Sequence, residues 1–394
     1  MDQQLAPSSG AQPRASTSPV RVGIVGANPD RGWGSGVHRR VIDYLPDFEL
    51  TAVCTTRQDT AEKAASLFGA RHAFTDPAQL AAHPDVDLVA VCVLAPHHYA
   101  IARSALLAGK HVYCEWPLAI TLEQAEELAQ IAADRGVKAM IGLHLNGAPA
   151  LRHAASLVQD GFIGTMQDIN LHVRVPGSIT QTMATRAHGT HLLSIYGGHL
   201  LGAISSHFAP IVGWTARSAI HLPPFDETGT PCTRDAPDHI LIHGKLANGA
   251  LFSLDLGSMS FAGMESHWRI GGSGGTLRLD STAPDMPAME ALTLSGAQLG
   301  QPVQPLPLPE ALDCTAIPRA PLRYSAYPGV DASRDALVSI GNLYEDLARA
   351  IHDGTQPFPD FAHGVAIQRL AAEIDQTLIA SAQQGAAHNE KDRP

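Results

Sequence analysis

The sequence predicts an α/β chain: a doubly wound parallel sheet at the N-terminal end, then an α+β domain with a mostly antiparallel sheet. Two patterns carry that reading. From Val20 to about Leu145, near-continuous apolar runs alternate with helical patterns, as expected for strands buried on both faces under covering helices. After Pro149, strand patterns follow one another with few helices between them, the mark of antiparallel pairing. A chain of 394 residues is long enough for two such cores.

Taken in order, the first domain has predicted strands at 20–25, 48–54, 88–93, 111–114 and 138–143. The helices between them have legible ends. Asp59 with Glu62 reads as a capping box closed by Gly69, and Thr121 with Gln124 as a second box closed by Gly136. Gly109 ends a third helix. In the second domain a helix over 150–159 stops at Gly161 and an alternating strand covers 165–175. A helical segment lies near 191–204. Segments 240–246 and 250–256 around Asn248-Gly249 read as a hairpin with a type I′ turn. A second hairpin joins 267–270 to 276–279 through a glycine-rich turn. Residues 300–330 are Pro-rich and read as loop, and helices over 335–352 and 362–381 finish the fold.

Composition excludes several classes of partner. The net charge is −11 and Lys and Arg form no cluster, so a nucleic acid held through its phosphates is not expected. No apolar run approaches the roughly 18 residues that suggest a membrane span. Residues 1–19, rich in Ser, Pro, Ala and Gln without an apolar signal core, read as a disordered tail, and 384–394 as a frayed one. The five cysteines show no paired spacing, and three sit in strand-like runs. They read as small buried side chains in a reducing compartment, which makes the expected location cytoplasmic.

Directly after the first strand comes Gly26-Ala27-Asn28-Pro29-Asp30-Arg31-Gly32-Trp33-Gly34, then a helix through Val37, Val41 and Leu45. A strand, a glycine turn and a helix N-terminus form a pyrophosphate cradle, because small residues let the backbone approach and the helix end supplies N–H groups. The spacing departs from GxGxxG, since Asn28 stands at the second glycine. The predicted organisation is therefore a Rossmann dinucleotide-binding domain over 20–146 and a substrate and oligomerisation domain over 147–383. The second strand runs into Thr55, Thr56 and Arg57 where an acidic ribose clamp would select NAD. Hydroxyls and a guanidinium suit a 2′-phosphate, so NADP is favoured over NAD.

Further phrases carry a resemblance. They are Ala95-Pro96-His97-His98, Ala108-Gly109-Lys110-His111-Val112 leading to Cys114-Glu115-Trp116-Pro117-Leu118, Gly161-Phe162-Ile163-Gly164, and Ile351-His352-Asp353-Gly354 before Pro357 and Pro359. With these the chain resembles the Gfo/Idh/MocA family, the glucose–fructose oxidoreductase and inositol dehydrogenase type, from Val20 to about Gln383. Gly32-Trp33, His98-Tyr99 and Glu115-Trp116-Pro117 look most like the subgroup that contains the yeast galactose-pathway repressor. Beside Gly26, Asn28, Gly32, Trp33, Thr55, Thr56 and Arg57, the expected cofactor-binding set takes in Leu94, Pro96, His98, Glu115, Trp116 and His144.

The resemblance also implies a catalytic set, and this sequence departs from it. The family usually has a Lys in Glu-Lys-Pro, and an Asp and a His four residues apart on a helix of the second domain. Here the Lys position is Trp116, the Asp position is Ile195, and only His199 is kept. His199 is thus the expected proton-transfer residue, with Tyr196 as second candidate. Pairs such as His188 with His191 and His239 with His243 lack completing ligands, so no metal is expected. The implied function is an NAD(P)-dependent oxidoreductase of a small alcohol or carbonyl substrate, sugar-like or aromatic, working as a homodimer or homotetramer. The alternatives are a dinucleotide-binding regulator that has lost catalysis, and an NAD-assisted lyase or hydrolase.

Overall fold

A computed structural model describes residues 18–391, apart from 177–180, 226–228, 261–263, 284–291, 319–324, 328–329 and 332–333. The predicted N-terminal tail lies outside the described residues up to position 17.

The first sheet has six strands: β1 (Val20–Val25), β2 (Phe48–Cys54), β3 (His72–Phe74), β4 (Leu88–Val91), β5 (His111–Glu115) and β6 (Ala139–Gly142). All pair in parallel, in the order β3-β2-β1-β4-β5-β6. β3 adds an edge to the five strands read from the sequence; its three half-buried residues are too short to carry a period. Strand order reverses between β1 and β4, so their C-terminal ends open the crevice in which doubly wound sheets hold ligands. The crossovers are α1 (Arg39–Tyr44), α2 (Gln58–Phe68), α3 (Pro77–Ala82), α4 (His98–Leu107) and α5 (Leu122–Arg135). Thr121 caps α5 by accepting from the Gln124 N–H, and Gly69 and Gly136 close α2 and α5 at φ +73° and +64°. The Asp59 box does not form. Helix α2 starts at Gln58, with Arg57 at its N-cap and Asp59 inside the first turn, where it accepts from the Arg57 guanidinium.

After α6 (Pro149–Gln159) come β7 (Met166–Pro176), α7 (Gln181–Ala184) and α8 (Gly198–His207). The second sheet adds β8 (Ile211–Ala219), β9 (His239–Leu246), β10 (Leu251–Ser260), β11 (Met264–Gly272), β12 (Gly275–Ala283), β13 (Thr293–Gln298) and β14 (Gln304–Pro305). Its order is β14-β13-β12-β11-β7-β10-β9-β8, and only the β7–β10 pair is parallel. Strand β8 escaped the sequence reading because a single residue, Ala216, is buried along it, so no alternation shows. The β9–β10 turn also differs. Gly249 has φ +92° and no described non-glycine residue has positive φ, which excludes type I′ at Asn248. Gly249 N–H donates to Leu246 O and Leu246 N–H to Ala250 O, a three-residue loop with glycine in the left-handed position.

A small pair, β15 (Ser325–Tyr327) and β16 (Val330–Asp331), precedes α9 (Arg334–Asp353) and α10 (Phe361–Lys391). The sequence reading put both helices in the second domain, but α9 returns to cover the first sheet. Its Leu337, Ile340, Leu343 and Tyr344 share a core with Val22, Ile24, Val41 and Phe48. A Cβ added to Gly147 would lie 1.9 Å from Ser339 O, so the turn after β6 rests directly on α9. Helix α10 runs to Lys391, through most of the predicted frayed tail, and its Gln368 Nε2 donates to Ala119 O. Among the described residues, no helix is long and apolar enough to cross a membrane.

Candidate functional site

The site is built on the loop after β1. Gly26 (φ +100°) has no room for a side chain, since a Cβ would meet Cys92 O at 2.2 Å, and one on Gly34 would meet Gly26 O at 2.8 Å. Asn28 keeps negative φ and its Oδ1 accepts from Asp30 N–H at 3.0 Å. That Asx turn shapes the loop where the usual motif has a second glycine. Gly32 takes φ +100°, Trp33 caps a π turn (Gly34–His38), and this runs straight into α1. A cradle that a Cβ would fill, ending in a helix N-terminus, fits a dinucleotide pyrophosphate.

The lips of the crevice carry the other expected contacts. Leu94, 72% exposed, and Pro96 follow β4. Thr55 is turned inward, where its hydroxyl meets Arg57 O at 2.9 Å and the Thr60 hydroxyl at 2.6 Å, while Thr56 is exposed. Arg57 forms an exposed ion pair with Asp59, which raises its pKa further. His98 departs from its expected role. It is buried, with Nδ1 at 2.7 Å from Pro117 O and Nε2 at 2.9 Å from Val93 O, so it clamps two loops and offers no ring nitrogen to a ligand.

At the ends of β5 and β6 the structure assembles a buried group across four elements. Glu115 closes β5, His144 opens the turn after β6, His38 ends the π turn, and Tyr344 lies on α9. Tyr344 Oη is 2.9 Å from His38 Nδ1, His38 Nε2 is 2.9 Å from Glu115 Oε1, and His144 Nε2 is 2.8 Å from Glu115 Oε2. Both imidazoles face the carboxylate through Nε2, and since an ionised carboxylate only accepts, each donates to it from Nε2–H. Burial works to protonate Glu115. The opposing charge and hydrogen bonds of His144, helped by those of His38, outweigh it and hold the carboxyl well below the usual carboxylate range.

His144 stacks on Trp33 (5.4 Å between ring centres, 17° between planes) and lies 5.1 Å from the His199 ring. His199 is buried, and burial together with the neighbouring His144 pushes its pKa down to about 3. It is therefore neutral at pH 7. Trp116 sits 6.5 Å from His199, donates from Nε1 to Ser194 O at 2.7 Å, and occupies the space a side chain on Gly198 would need. Its peptide to Pro117 is cis. Tyr196 lies half-buried in a second π turn, Leu193–Gly197, which feeds α8. Three buried polar atoms around this group, Trp33 Nε1, Tyr113 Oη and His199 Nδ1, have no hydrogen-bond partner among the described residues. Unsatisfied groups of this kind are uncommon and fit a cleft whose ligand completes them.

Sequence reasoning missed His38 and Tyr344, which meet across 306 positions. A buried histidine on the apolar face of the first helix, beside Val37 and Val41, was the available signal. Of the histidine pairs considered for a metal, His239 bonds Asp255 and His243 bonds Thr215. Elsewhere His72, His83 and Asp85 bring potential ligand atoms within 4.8 Å of one another. There Asp85 is already shared between His72 and Arg21.

Comparison with known proteins fits this geometry. Residues 20–143 match the model described as "Oxidoreductase family, NAD-binding Rossmann fold", and 151–278 match the GFO/IDH/MocA C-terminal domain. Dehydrogenase aclE of Aspergillus oryzae is 33% identical over 245 residues, covering 58% of this chain and 67% of the relative. The chain belongs to the GFO/IDH/MocA family. Another GFO/IDH/MocA relative, the galactose/lactose metabolism regulatory protein GAL80 of Saccharomyces cerevisiae, is 26% identical over 262 residues, 59% of each chain. A levoglucosan dehydrogenase solved with NADH and L-sorbose superposes with TM-score 0.77 at 18% identity, over 92% of this chain and 98% of that one, which shows a shared fold. Within this GFO/IDH/MocA framework, the buried carboxylate makes one expectation measurable. A carboxyl with lowered pKa adds stability above the ordinary carboxylate range, and that stability is lost as pH falls through and below it. Glu115→Gln should cost about 1–3 kcal/mol near neutral pH, read by urea unfolding. The gap from the parent protein should narrow below about pH 4.5. A gap that stays constant across that range would mean Glu115 is not held ionised.

Proposed function

We propose that the protein is an NAD(P)-dependent oxidoreductase that interconverts a small alcohol and its carbonyl form, with His144 taking and returning the hydroxyl proton. The observation that carries this reading is the 2.8 Å pairing of His144 with Glu115 beside the dinucleotide loop. When bound, the nicotinamide accepts or supplies the hydride. His144 is the titratable member of this pair that lies against the Trp33 and His199 rings, on the side where the nicotinamide and substrate would meet. Glu115 stabilises the imidazolium that results, as a buried carboxylate does behind any imidazole base.

This moves the proton from His199, where the sequence favoured it, to its neighbour. A group with a pKa near 3 is a poor base at pH 7. The neutral His199 instead orients the substrate hydroxyl through Nδ1, and Tyr196 stays a secondary candidate. Trp33 and Trp116 give the cleft flat apolar walls, which suit a sugar face or an aromatic ring. Self-association as a homodimer or homotetramer through the exposed face of the second sheet belongs to the same reading.

A second reading has specific support. Trp116 and Ile195 replace two members of the family's usual catalytic set, and the regulator GAL80 is a relative. On that reading the protein binds a dinucleotide and acts through a partner. The two readings separate in one experiment: titration with NAD and NADP, then the redox state of the nicotinamide over sugars, polyols and aromatic alcohols. For an oxidoreductase, His144→Gln should lower kcat by roughly 10²–10⁴-fold, the contribution of a positioned general base, with dinucleotide affinity unchanged. Turnover kept within a few-fold would exclude His144 as the proton acceptor.

The preference for NADP rests on Arg57 leaving Asp59 to meet a 2′-phosphate. Arg57→Ala should weaken NADP about tenfold or more, as loss of a charge-assisted contact does, and leave NAD nearly untouched. Equal losses for both dinucleotides in calorimetry would remove Arg57 from the cofactor site.

A further inference from the structure

At the end of the first sheet away from the dinucleotide crevice, three side chains that the proposed reaction does not use stand together. His72 opens β3, and His83 and Asp85 lie between α3 and β4. Potential ligand atoms of all three are within 4.8 Å of one another, and the two imidazole rings are 4.0 Å apart between centres. His72 Nε2 is 2.9 Å from Asp85 Oδ2. Neither of the histidine pairs weighed in the sequence includes them. His72 and Asp85 are 13 positions apart and meet only when the β3–α3–β4 crossover closes.

The backbone under all three is held. Strand β3 pairs with β2, with His72 in register with Ala52. Lys110 Nζ donates to His83 O at 3.1 Å, and Thr51 Oγ1 donates to Asp85 O at 2.6 Å. Asp85 Oδ1 accepts from Arg21 Nη1 at 3.1 Å, which leaves Oδ2 to His72. A carboxylate held through one oxygen while the other ligates is the usual surrounding of a metal ligand. Arg21 does not depend on Asp85, since its Nε and Nη2 bond Asp87 at 2.8 and 2.7 Å.

Two imidazoles and one carboxylate suit zinc rather than magnesium or calcium, which prefer oxygen ligands alone. A tetrahedral zinc ion with ligands at about 2.0–2.2 Å keeps them about 3.3–3.5 Å apart, so the closest pair must open slightly and wider ones close by up to about 1.5 Å. All three side chains are half-buried and have room for that. His83 Nδ1 accepts the Asp85 N–H at 3.2 Å, the longest polar contact of the group. A neutral imidazole has one lone pair, so a ligating His83 gives that bond up.

We propose that His72, His83 and Asp85 bind a zinc-type divalent ion, with water as its fourth ligand, and that the ion ties edge strand β3 to the end of α3. The full-length protein, freed of metal by a chelator and titrated with ZnCl2 in a calorimeter, should take one zinc ion with low-micromolar affinity, and its Tm should rise by a few degrees at saturation. His83→Ala and His72→Gln should each weaken that binding at least tenfold and cancel the rise in Tm. His239→Gln, on the second sheet, should change neither. In the wild-type protein alone, cobalt(II) should give the intense visible bands of a four-coordinate ion, bleached by one equivalent of zinc. Binding that needs more than about 100 μM zinc, that survives both substitutions, or that leaves cobalt with only a pale six-coordinate spectrum would overturn the proposal.

Discussion

Everything at the centre of this molecule depends on keeping one carboxylate ionised where water scarcely reaches. Burying an unpaired carboxylate costs several kcal/mol, and it survives only with opposite charge or hydrogen-bond donors on both oxygens. Glu115 receives one imidazole on each oxygen. To bring them there the fold must join the end of β5, the turn after β6, the helix that follows the dinucleotide loop, and, through Tyr344, a helix from the end of the chain. The close approach of Gly147 to Ser339 and the absence of a side chain at Gly142, where a Cβ would meet Glu115 Oε1 at 2.8 Å, follow from the same requirement. The cofactor loop and the buried carboxylate are thus parts of one packed unit.

The departures from the family's catalytic set look different against this background. Trp116 is no stray substitution at a lysine position. Its indole lies where any side chain on Gly198 would be, and its N–H is bonded to Ser194 O. A lysine there would lose that bond and leave a void beside a glycine-lined turn. Beside it His144 is paired with a buried carboxylate, and His199 lies 5.1 Å from the His144 ring in neutral form.

What the sequence revealed, and what it hid, follows from the range of each interaction. Strands β1, β2, β5 and the helix stops at Gly69 and Gly136 were legible because apolar runs and left-handed glycines act locally. Strand β3 is too short and β8 too exposed to leave a period. The Asn248-Gly249 pair signals a turn but not its type, which depends on the register of the flanking strands. For the site, the strand, glycine turn and helix after Val20 are local patterns that show in the sequence, and the structure puts His199 beside His144. The pairing of His144 with Glu115 does not show there, and still less the contact of His38 with Tyr344, because these residues meet only after β6 is laid beside β5 and α9 folds back onto the first sheet. That return of α9 also explains why the second domain, read as one stretch of sequence, contributes to the core of the first.

The account stands or falls on hydride transfer at this centre. The direct measurement is to load the protein with oxidised dinucleotide, add alcohols carrying deuterium on the carbinol carbon, and weigh the dinucleotide by mass spectrometry. The account predicts that a sugar-like or aromatic alcohol delivers deuterium to the nicotinamide in the wild-type protein, and that His144→Gln largely abolishes the transfer without releasing the dinucleotide. A dinucleotide that binds firmly yet gains no deuterium from any such alcohol would contradict it, and would mark the chain as a dinucleotide-dependent regulator.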